Sequence, residues 1–454
     1  MRPDGFDPAR PPVQRTAGEG PVRADQRPIV IVGGGFSGAM LAARLAERGQ
    51  AAALIDATGR FGLGVAYATP FDGHLLNVRA ARMSAVEGRP DDFVRWLAQA
   101  HPGHAHPDAF APRRLFGLYV QERLAAVESA FPGLIARLHG RVEAIEGTGV
   151  VLADGRRLPG RAVVLATGNP PPRTASGDQR ILSDPWADGA LDAVGPTDDL
   201  AVIGSGLTMV DMAVWLEARG WTGRMTALSR RGLSPRPHGP RPDPAAPPGE
   251  ALTRGPASRR LQAARRAAGE HGWREVMEGL RPMTDRLWRA ADLDVRARWV
   301  RHLRPWWDVH RHRIAPEVAA QIDALTASGR LSVAAARIGS IETTPDGVVV
   351  TFRPKGSAVP RTLVADRLID CSGPGHDPGR DPLMSPLIAA GRARLDPLRL
   401  GLDLDEAGRV LSAGGTPDPA LFVLGPPARA AFWETVAVPD IRQRIEAVVA
   451  ALGA

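Results

Sequence analysis

Three features of the chain predict its fold. Ile29–Val32 is a short β-branched run, and Gly33-Gly34-Gly35-Phe36-Ser37-Gly38 after it fits GxGxxG ahead of a helical pattern. The same order returns at Leu200–Ile203 and Gly204-Ser205-Gly206-Leu207-Thr208-Met209. Residues 258–325 then read as helix before strand patterns resume. Together they predict an α/β fold: two Rossmann-like dinucleotide-binding domains with a helical insertion.

In the first unit the helical pattern runs through Leu41 and Leu45 to Arg48, and Gly49 stops it. Ala51 to Ile55 reads as a second strand closed by Asp56, roughly twenty residues past Gly33, where a ribose-binding acid belongs. Gly33 allows the tight turn, Gly35 lets the backbone approach a pyrophosphate, and Gly38 lets helix and strand pack closely. Backbone N–H groups at the helix start, around Phe36 and Ser37, and the positive end of its dipole would hold the phosphates. This stretch alone does not separate FAD from NAD.

Composition narrows the class. The 454 residues suffice for two or three domains, and 44% hydrophobic with 23% charged residues is a globular composition. No run approaches the roughly 18–20 apolar residues of a membrane span. Residues 1–27 mix Pro, Gly and charge without the apolar core of a signal peptide, so a disordered tail and a cytoplasmic chain are expected. The net charge of +8 could suggest nucleic acid. However, Lys355 is the only lysine, and the arginines are scattered among acids, so no nucleic-acid partner is expected. Cys371, the only cysteine, excludes both an internal disulfide and the redox cysteine pair of the flavoprotein disulfide reductases. It reads as a small buried residue.

Beyond Asp56, the glycines of Phe61–Tyr67 read as a loop over a ligand. His74, Leu76 and Asn77 follow, the His and Asn as polar groups near that ligand or as turn caps. Helices are expected over 91–100 and 114–129, and a β-meander over Arg141–Ile145, Gly149–Leu152 and Arg157–Leu158. Ala162–Leu165 then runs into Ala166-Thr167-Gly168. A strand ending in ATG at this distance resembles the second fingerprint of the two-dinucleotide-binding flavoproteins, where small residues pass close to the cofactor.

The second unit departs from the first at two places. Met209 stands where a small residue is expected, which predicts looser or shifted helix packing. Its second strand, Met225–Leu228, ends in Ser229-Arg230-Arg231 and not in an acid. Without a carboxylate the 2′-hydroxyl acceptor is gone, and two guanidiniums suit a 2′-phosphate, favouring NADPH over NADH. An ordinary basic loop is the alternative. Residues 232–256 read as a loop or lid. Within the helical stretch, His302, Asp308, His310 and His312 are interrupted by Pro305 and point to different faces, so no metal is expected. Strands follow at Leu331–Ala335, Gly339–Thr343, Val348–Phe352 and Arg367–Gly373, the last expected to return the chain to the first domain. Leu421–Gly425 reads as another buried strand. Pro439 suits the first position of a closing helix, whose dipole would face the flavin's N1–C2=O.

The blocks GGGFSG, GVAYATPFDGHLLNVRAARMSA, FVRWL, GSGLTMVD, HLRPWWDVHRHRIAP, DCSGP and FWETVAVPDIRQ resemble those of the bacterial YdhS-like FAD/NAD(P)-binding proteins, over nearly everything from Pro28 onwards. That family is distantly similar to flavin-dependent monooxygenases. The resemblance implies FAD at the first site, with Gly33, Gly35, Gly38 and Asp56 on its ADP half and Val142 by the adenine. It places His74, Leu76 and Asn77 near the isoalloxazine, with Gly425 and the Trp433–Pro439 segment closing over it. NADPH would sit on Gly204, Gly206, Thr208, Arg230 and Arg231. Asn77, Trp433 and Glu434 are the candidates at the reacting centre. The expected activity is an FAD-dependent, NADPH-using monooxygenase that oxidises a small molecule with O2 through a C4a-hydroperoxyflavin. The alternatives are an NADPH:acceptor flavin reductase serving a quinone or protein, and a non-catalytic flavin-binding interaction protein. The expected division is a tail at 1–27, a first FAD segment at 28–197, the NADPH domain with its insert at 198–330, and a returning FAD segment at 331–454.

Overall fold

The computed structural model describes residues 27–170, 177–239, 241, 244–245, 248–373 and 378–453. The tail expected at 1–27 lies outside these but for Arg27, and so does part of the expected 232–256 loop. In chain order the strands are β1 (Ile29–Val32), β2 (Ala52–Asp56), β3 (Ile135–His139), β4 (Val142–Glu146), β5 (Gly149–Leu152), β6 (Arg157–Leu158), β7 (Ala162–Leu165) and β8 (Ile181–Leu182). They continue as β9 (Leu200–Ile203), β10 (Met225–Ser229), β11 (Leu331–Thr344), β12 (Gly347–Pro354), β13 (Arg361–Ala365), β14 (Arg367–Asp370), β15 (Arg409–Leu411) and β16 (Pro417–Val423).

Two main sheets result, in the doubly wound arrangement that the repeated strand–glycine–helix order predicts. The first has the order β15-β16-β7-β1-β2-β3, parallel except for β15, and β4-β5-β6 form a separate small sheet. The second runs β13-β12-β11-β10-β9-β14-β8. In each, the strand before the glycine turn lies between two parallel neighbours, β1 between β2 and β7, and β9 between β10 and β14. The chain reverses direction across the sheet there, which opens a crevice at the carboxyl ends of the strands.

Burial on both faces explains the apolar composition of these central strands. Helix α1 (Phe36–Glu47), the Arg113–Ala130 helix and the closing Val438–Ala451 helix cover one face of the first sheet, sharing a core that includes Leu41, Leu45, Phe116 and Ile445. The Leu207–Ala218 and Pro316–Ala327 helices do the same for the second sheet.

Strand pairing adds one element and corrects two sequence expectations. Ile135–His139 has no β-branched run, yet it forms β3, because it lies in register beside β2. The strands expected at Leu331–Ala335 and Gly339–Thr343 are one strand, β11, whose first half pairs in parallel with β10 and whose second half pairs antiparallel with β12. The change of partner falls between Ala335 and Ala336, and a bulge between Ile338 and Ser340, at Gly339 within the antiparallel half, is why the sequence reads as two strands. The boundaries expected at 197/198 and 330/331 also move. Strands β8 and β11–β14 hydrogen-bond into the second sheet, and the chain rejoins the first sheet only at β15. Arg367–Asp370 is therefore the inner strand of the second unit, not the start of the return.

Candidate functional site

The first glycine turn is built by close backbone approach. Gly33 N–H donates to Ile55 O at 2.8 Å, and Ala166 N–H donates to Val32 O at 2.8 Å. A Cβ on Gly33, whose φ is +108°, would stand 2.3 Å from Ala166 O, and one on Gly38 would stand 1.9 Å from Gly33 O. The Ala166-Thr167-Gly168 segment thus presses against the turn itself. Gly425 reaches the same point from β16: a Cβ there would lie 2.7 Å from Ser37 Oγ, and its carbonyl accepts from Thr435 Oγ1 at 3.0 Å.

Three segments far apart in sequence therefore meet at the start of α1. That helix has no side-chain cap and no acid in its first turn, so its leading N–H groups, at Phe36 and Ser37, lack acceptors within the helix. Backbone donors, a positive dipole end and a Cβ-free approach at Gly35 form a cradle that fits a diphosphate. Asp56 does more than wait for a ribose. Its Oδ2 accepts Gly34 N–H at 2.8 Å, and its Oδ1 accepts Thr58 N–H at 2.8 Å and Thr58 Oγ1 at 2.6 Å. One of a carboxylate's roughly four acceptor positions is left for a hydroxyl. Val142 opens β4 just after the loop in which Gly140 N–H donates to Asp56 O, and it packs against the core containing Ile55.

The second turn copies this construction. Gly204, with φ +98°, has N–H 2.8 Å from Leu228 O, and a Cβ on it would stand 2.4 Å from Cys371 O. Cys371 thus fills the place of Ala166, and burial together with the Asp370 and Asp211 charges pushes its thiol pKa well up, away from nucleophilic use. Met209 is fully buried in the core. The first helical hydrogen bond beside it, Val210 N–H to Gly206 O, is 3.3 Å long, against 2.9 Å for Ala39 to Gly35. Nothing lies within 4 Å of a Cβ on Gly206, so this cradle is open. Thr208 is half-buried in the first helical turn behind it.

Ser229 occupies the end of β10, as Asp56 does the end of β2. Its Oγ accepts Gly232 N–H at 3.0 Å and lies 2.8 Å from Ser205 Oγ. The loop is fastened as Asp56 fastens its own, but without a charge. Arg230 is exposed at this corner, and Arg231 donates to Arg301 O of the helical insertion at 3.0 Å.

His74, Leu76 and Asn77 belong to the seam between the two units. His74 is buried; its Nδ1 accepts from Thr69 Oγ1 at 2.6 Å and its Nε2 donates to Asp211 O, in the second unit's helix, at 3.1 Å. Burial, reinforced by Arg113, lowers its pKa and keeps it neutral, outweighing Asp211. With both nitrogens taken, His74 is a post between domains that fixes where the neighbouring backbone runs. Leu76 is buried in the first core, its N–H on Ala111 O at 2.8 Å. Asn77 offers its carbonyl to His238 Nε2–H at 3.0 Å. Sequence reasoning missed the brace beside them: Arg113 grips Asp211 with two hydrogen bonds of 2.9 Å and Leu75 O with a third of 3.0 Å. No local pattern could reveal it, because the partners lie on different units.

Trp433 and Glu434 tie the closing segment to the insertion. The Trp433 ring packs 4.5 Å from that of Trp288, under the Arg429 guanidinium at 4.6 Å. It lines an apolar groove of about 300 Å³ whose other walls include Trp273, Trp288, Trp299, Trp306 and Trp307. Glu434 turns to the opposite side, accepts Trp307 Nε1–H at 2.8 Å and stands 3.3 Å from Arg311 Nε. Burial alone would raise its pKa, but Arg311, His312, Trp307 and Arg429 outweigh it and hold the carboxyl below its usual range. Glu434, a candidate at the reacting centre in the sequence, is therefore a fixed buried anion. Pro439 is the second residue of the closing helix, which begins at Val438, one residue earlier than expected.

Residues 30–170 match a family model described as FAD-NAD(P)-binding. Solved structures similar to this chain include the reduced form of ornithine hydroxylase from Pseudomonas aeruginosa, 18% identical with a TM-score of 0.62 over 94% of this chain and 98% of that one. An ornithine N-hydroxylase of Kutzneria sp. 744, solved with reduced FAD, NADP+ and L-ornithine, is 16% identical, with a TM-score of 0.65 over 94% and 99%. L-lysine 6-monooxygenase from Pseudomonas syringae is 16% identical, with a TM-score of 0.64 over 94% and 99%. The chain has the two-dinucleotide-binding fold of these proteins. Among the described residues, no helix is long and apolar enough to cross a membrane.

Proposed function

We propose that this chain is an FAD-dependent, NADPH-using oxidoreductase, a monooxygenase acting on a small molecule with O2 in the cytoplasm, and a member of the YdhS-like group. The observation that carries the reading is the pair of matched glycine turns, one closed by a carboxylate at Asp56 and the other by Ser229 beside an exposed Arg230. The first suits the ADP half of FAD and the second a nucleotide bearing a 2′-phosphate. The similar ornithine and lysine hydroxylases support the same assignment. When bound, FAD supplies the electron-transfer and oxygen chemistry.

The protein's part is positioning. The start of α1 and Gly425 hold the diphosphate, while Ala166-Thr167 brings the crossing strand against it. The His74–Asp211 and Arg113–Asp211 contacts set the second unit's helix relative to the loop carrying Leu76 and Asn77. The helical insertion is tied to the closing segment through Trp307–Glu434. The test is to reduce the purified flavoprotein anaerobically with NADPH or NADH, then admit air. Faster reduction by NADPH and substrate-dependent oxygen uptake are expected. Immediate, stoichiometric peroxide whatever small molecule is added would sink the monooxygenase reading.

A further inference from the structure

The apolar groove that Trp433 lines measures about 300 Å³, at the lower end of the range for small-molecule sites, and six tryptophans face it. We propose that it binds the body of a medium-sized alkyl or aryl carboxylic acid as substrate. The role as substrate rests on the monooxygenase reading above, and the class of molecule rests on the groove alone.

One wall is a helix that the fold leaves uncovered. Ala257, Leu261, Ala264 and Ala268 recur at helical spacing along the Ala257–His271 helix and line the groove, yet no residue of that helix is buried. Leu261 stays 36% exposed and Trp306, also on the lining, 44%. An apolar guest would take this surface out of water. Other walls are fixed. Trp288 Nε1–H donates to Ala430 O at 2.9 Å and Trp307 Nε1–H to Glu434 at 2.8 Å. An indole has a single donor, so these two rings offer a guest only their apolar faces and edges.

Charge selects the head group. Arg260, Arg265 and Arg304 are among the lining residues, and no carboxylate is. Arg304 is answered by Asp308 at 3.4 Å. The Arg260 guanidinium lies 5.2 Å from the centre of the Trp299 ring, itself on the lining, and its Nε is buried without a hydrogen-bond partner. A carboxylate would give this guanidinium an ionic acceptor. An amine cation would meet three guanidiniums and no carboxylate on the lining.

Both nucleotide turns are fastened to the walls of the groove. Trp433 belongs to the closing segment, whose Thr435 bonds Gly425, the residue set against Ser37 at the start of α1. A single π-helical turn, Trp299–Leu303, supplies Trp299 and Leu303 to the lining, and its Arg301 carbonyl accepts from Arg231 at 3.0 Å. Such turns are frequent at functional sites. A guest in the groove therefore touches segments tied to the diphosphate cradle and to the corner proposed for the 2′-phosphate.

Six of the ten tryptophans line the groove, so a heavy-atom quencher reports its occupancy. The FAD-loaded protein is titrated with ω-bromodecanoate while tryptophan fluorescence is followed, with decanoate as competitor and decylamine as the cation of equal length. Saturable quenching that decanoate reverses is expected, with decylamine competing at least about tenfold less well. Ala264→Phe, which fills the groove from a partly exposed helix position, should weaken binding about tenfold or more with flavin content unchanged. Arg260→Gln should cut the preference for acid over amine about tenfold. The proposal is overturned if quenching is absent or not saturable, if decylamine competes as well as decanoate, or if either variant behaves as the parent does. Sedimentation as a dimer whose fluorescence ω-bromodecanoate leaves unchanged would give the groove to a second copy and likewise overturn it. Acid binding in a protein whose flavin NADPH cannot reduce would keep the site and remove the function proposed above. Flavin reduction without acid binding would do the reverse, so the two failures are distinguishable.

Discussion

Substituting Gly38 by alanine tests whether the cradle at the start of α1 depends on helix–turn contact. The added Cβ would stand 1.9 Å from Gly33 O and 3.1 Å from Gly33 C, and the obstacle is backbone. It falls about 1 Å short of the 3.0 Å below which real Cβ contacts essentially never lie, so α1 must withdraw or the turn must open. Neither can yield freely, because Gly33 is bonded to Ile55 on one side and pressed by Ala166 on the other. Overpacking of this kind costs about 1–3 kcal/mol, and here it falls on the atoms that hold the diphosphate. If half of that appears in binding, FAD affinity drops between about twofold and tenfold at 1.4 kcal/mol per decade. The assay is the flavin-to-protein absorbance ratio after dialysis, together with the thermal midpoint of the FAD-free protein. Gly206→Ala is the control, since its Cβ meets nothing within 4 Å and its φ is −88°. A Gly38→Ala protein with the parent's flavin content and thermal midpoint would refute the reasoning.

The other expectations concern the second site and the seam. Gly206→Ala should leave flavin content intact but raise the NADPH concentration for half-maximal flavin reduction about tenfold, measured by stopped flow; an unchanged value removes the nucleotide from that turn. Arg230→Ala should lower the preference for NADPH over NADH by about tenfold or more, as expected for a lost charge-assisted bond, and equal loss with both cofactors would contradict the 2′-phosphate assignment. His238 is held neutral down to about pH 4 in the folded chain, against 6.5 when unfolded. Below pH 6.5 the unfolded state therefore binds the extra proton, and stability falls by up to about 1.4 kcal/mol per pH unit until pH nears 4. Thermal midpoints measured across that range should decline less steeply in His238→Gln, and identical slopes would show that other groups set the acid limit. Trp307→Phe, which leaves Glu434 Oε1 without its indole donor, should destabilise the protein by about 1–3 kcal/mol in denaturant titrations.

Much of the architecture was legible in the sequence because local rules govern it. A strand, a glycine turn and a helix must follow one another within a dozen residues. Gly33, Gly38 and Gly204 are required by contacts that their own unit creates, and the change from Asp56 to Ser229 is visible at the end of each second strand. What escaped lay across the chain. Strand β3 forms because β2 offers it an edge, and β11 is continuous because its first residues pair with β10 and its later ones with β12. His74 read as a group near the ligand or a turn cap, and its nitrogens are taken by Thr69 and by a carbonyl 137 residues away. Glu434 read as a candidate at the reacting centre, and the insertion makes it a buried counter-charge.

By itself, the sequence determined two nucleotide-type turns, the absence of a redox cysteine pair and the loss of an acid at the second ribose position. Each of these depends on the identity of one residue at one spacing. Only the tertiary structure decided which strands belong to which sheet, which polar side chains face the protein, and that six tryptophans from the insertion and the closing segment converge on one groove. The physical reason is that sheet edges, buried carboxylates and guanidiniums are satisfied by whatever the fold brings within about 3 Å, and sequence separation carries no record of that.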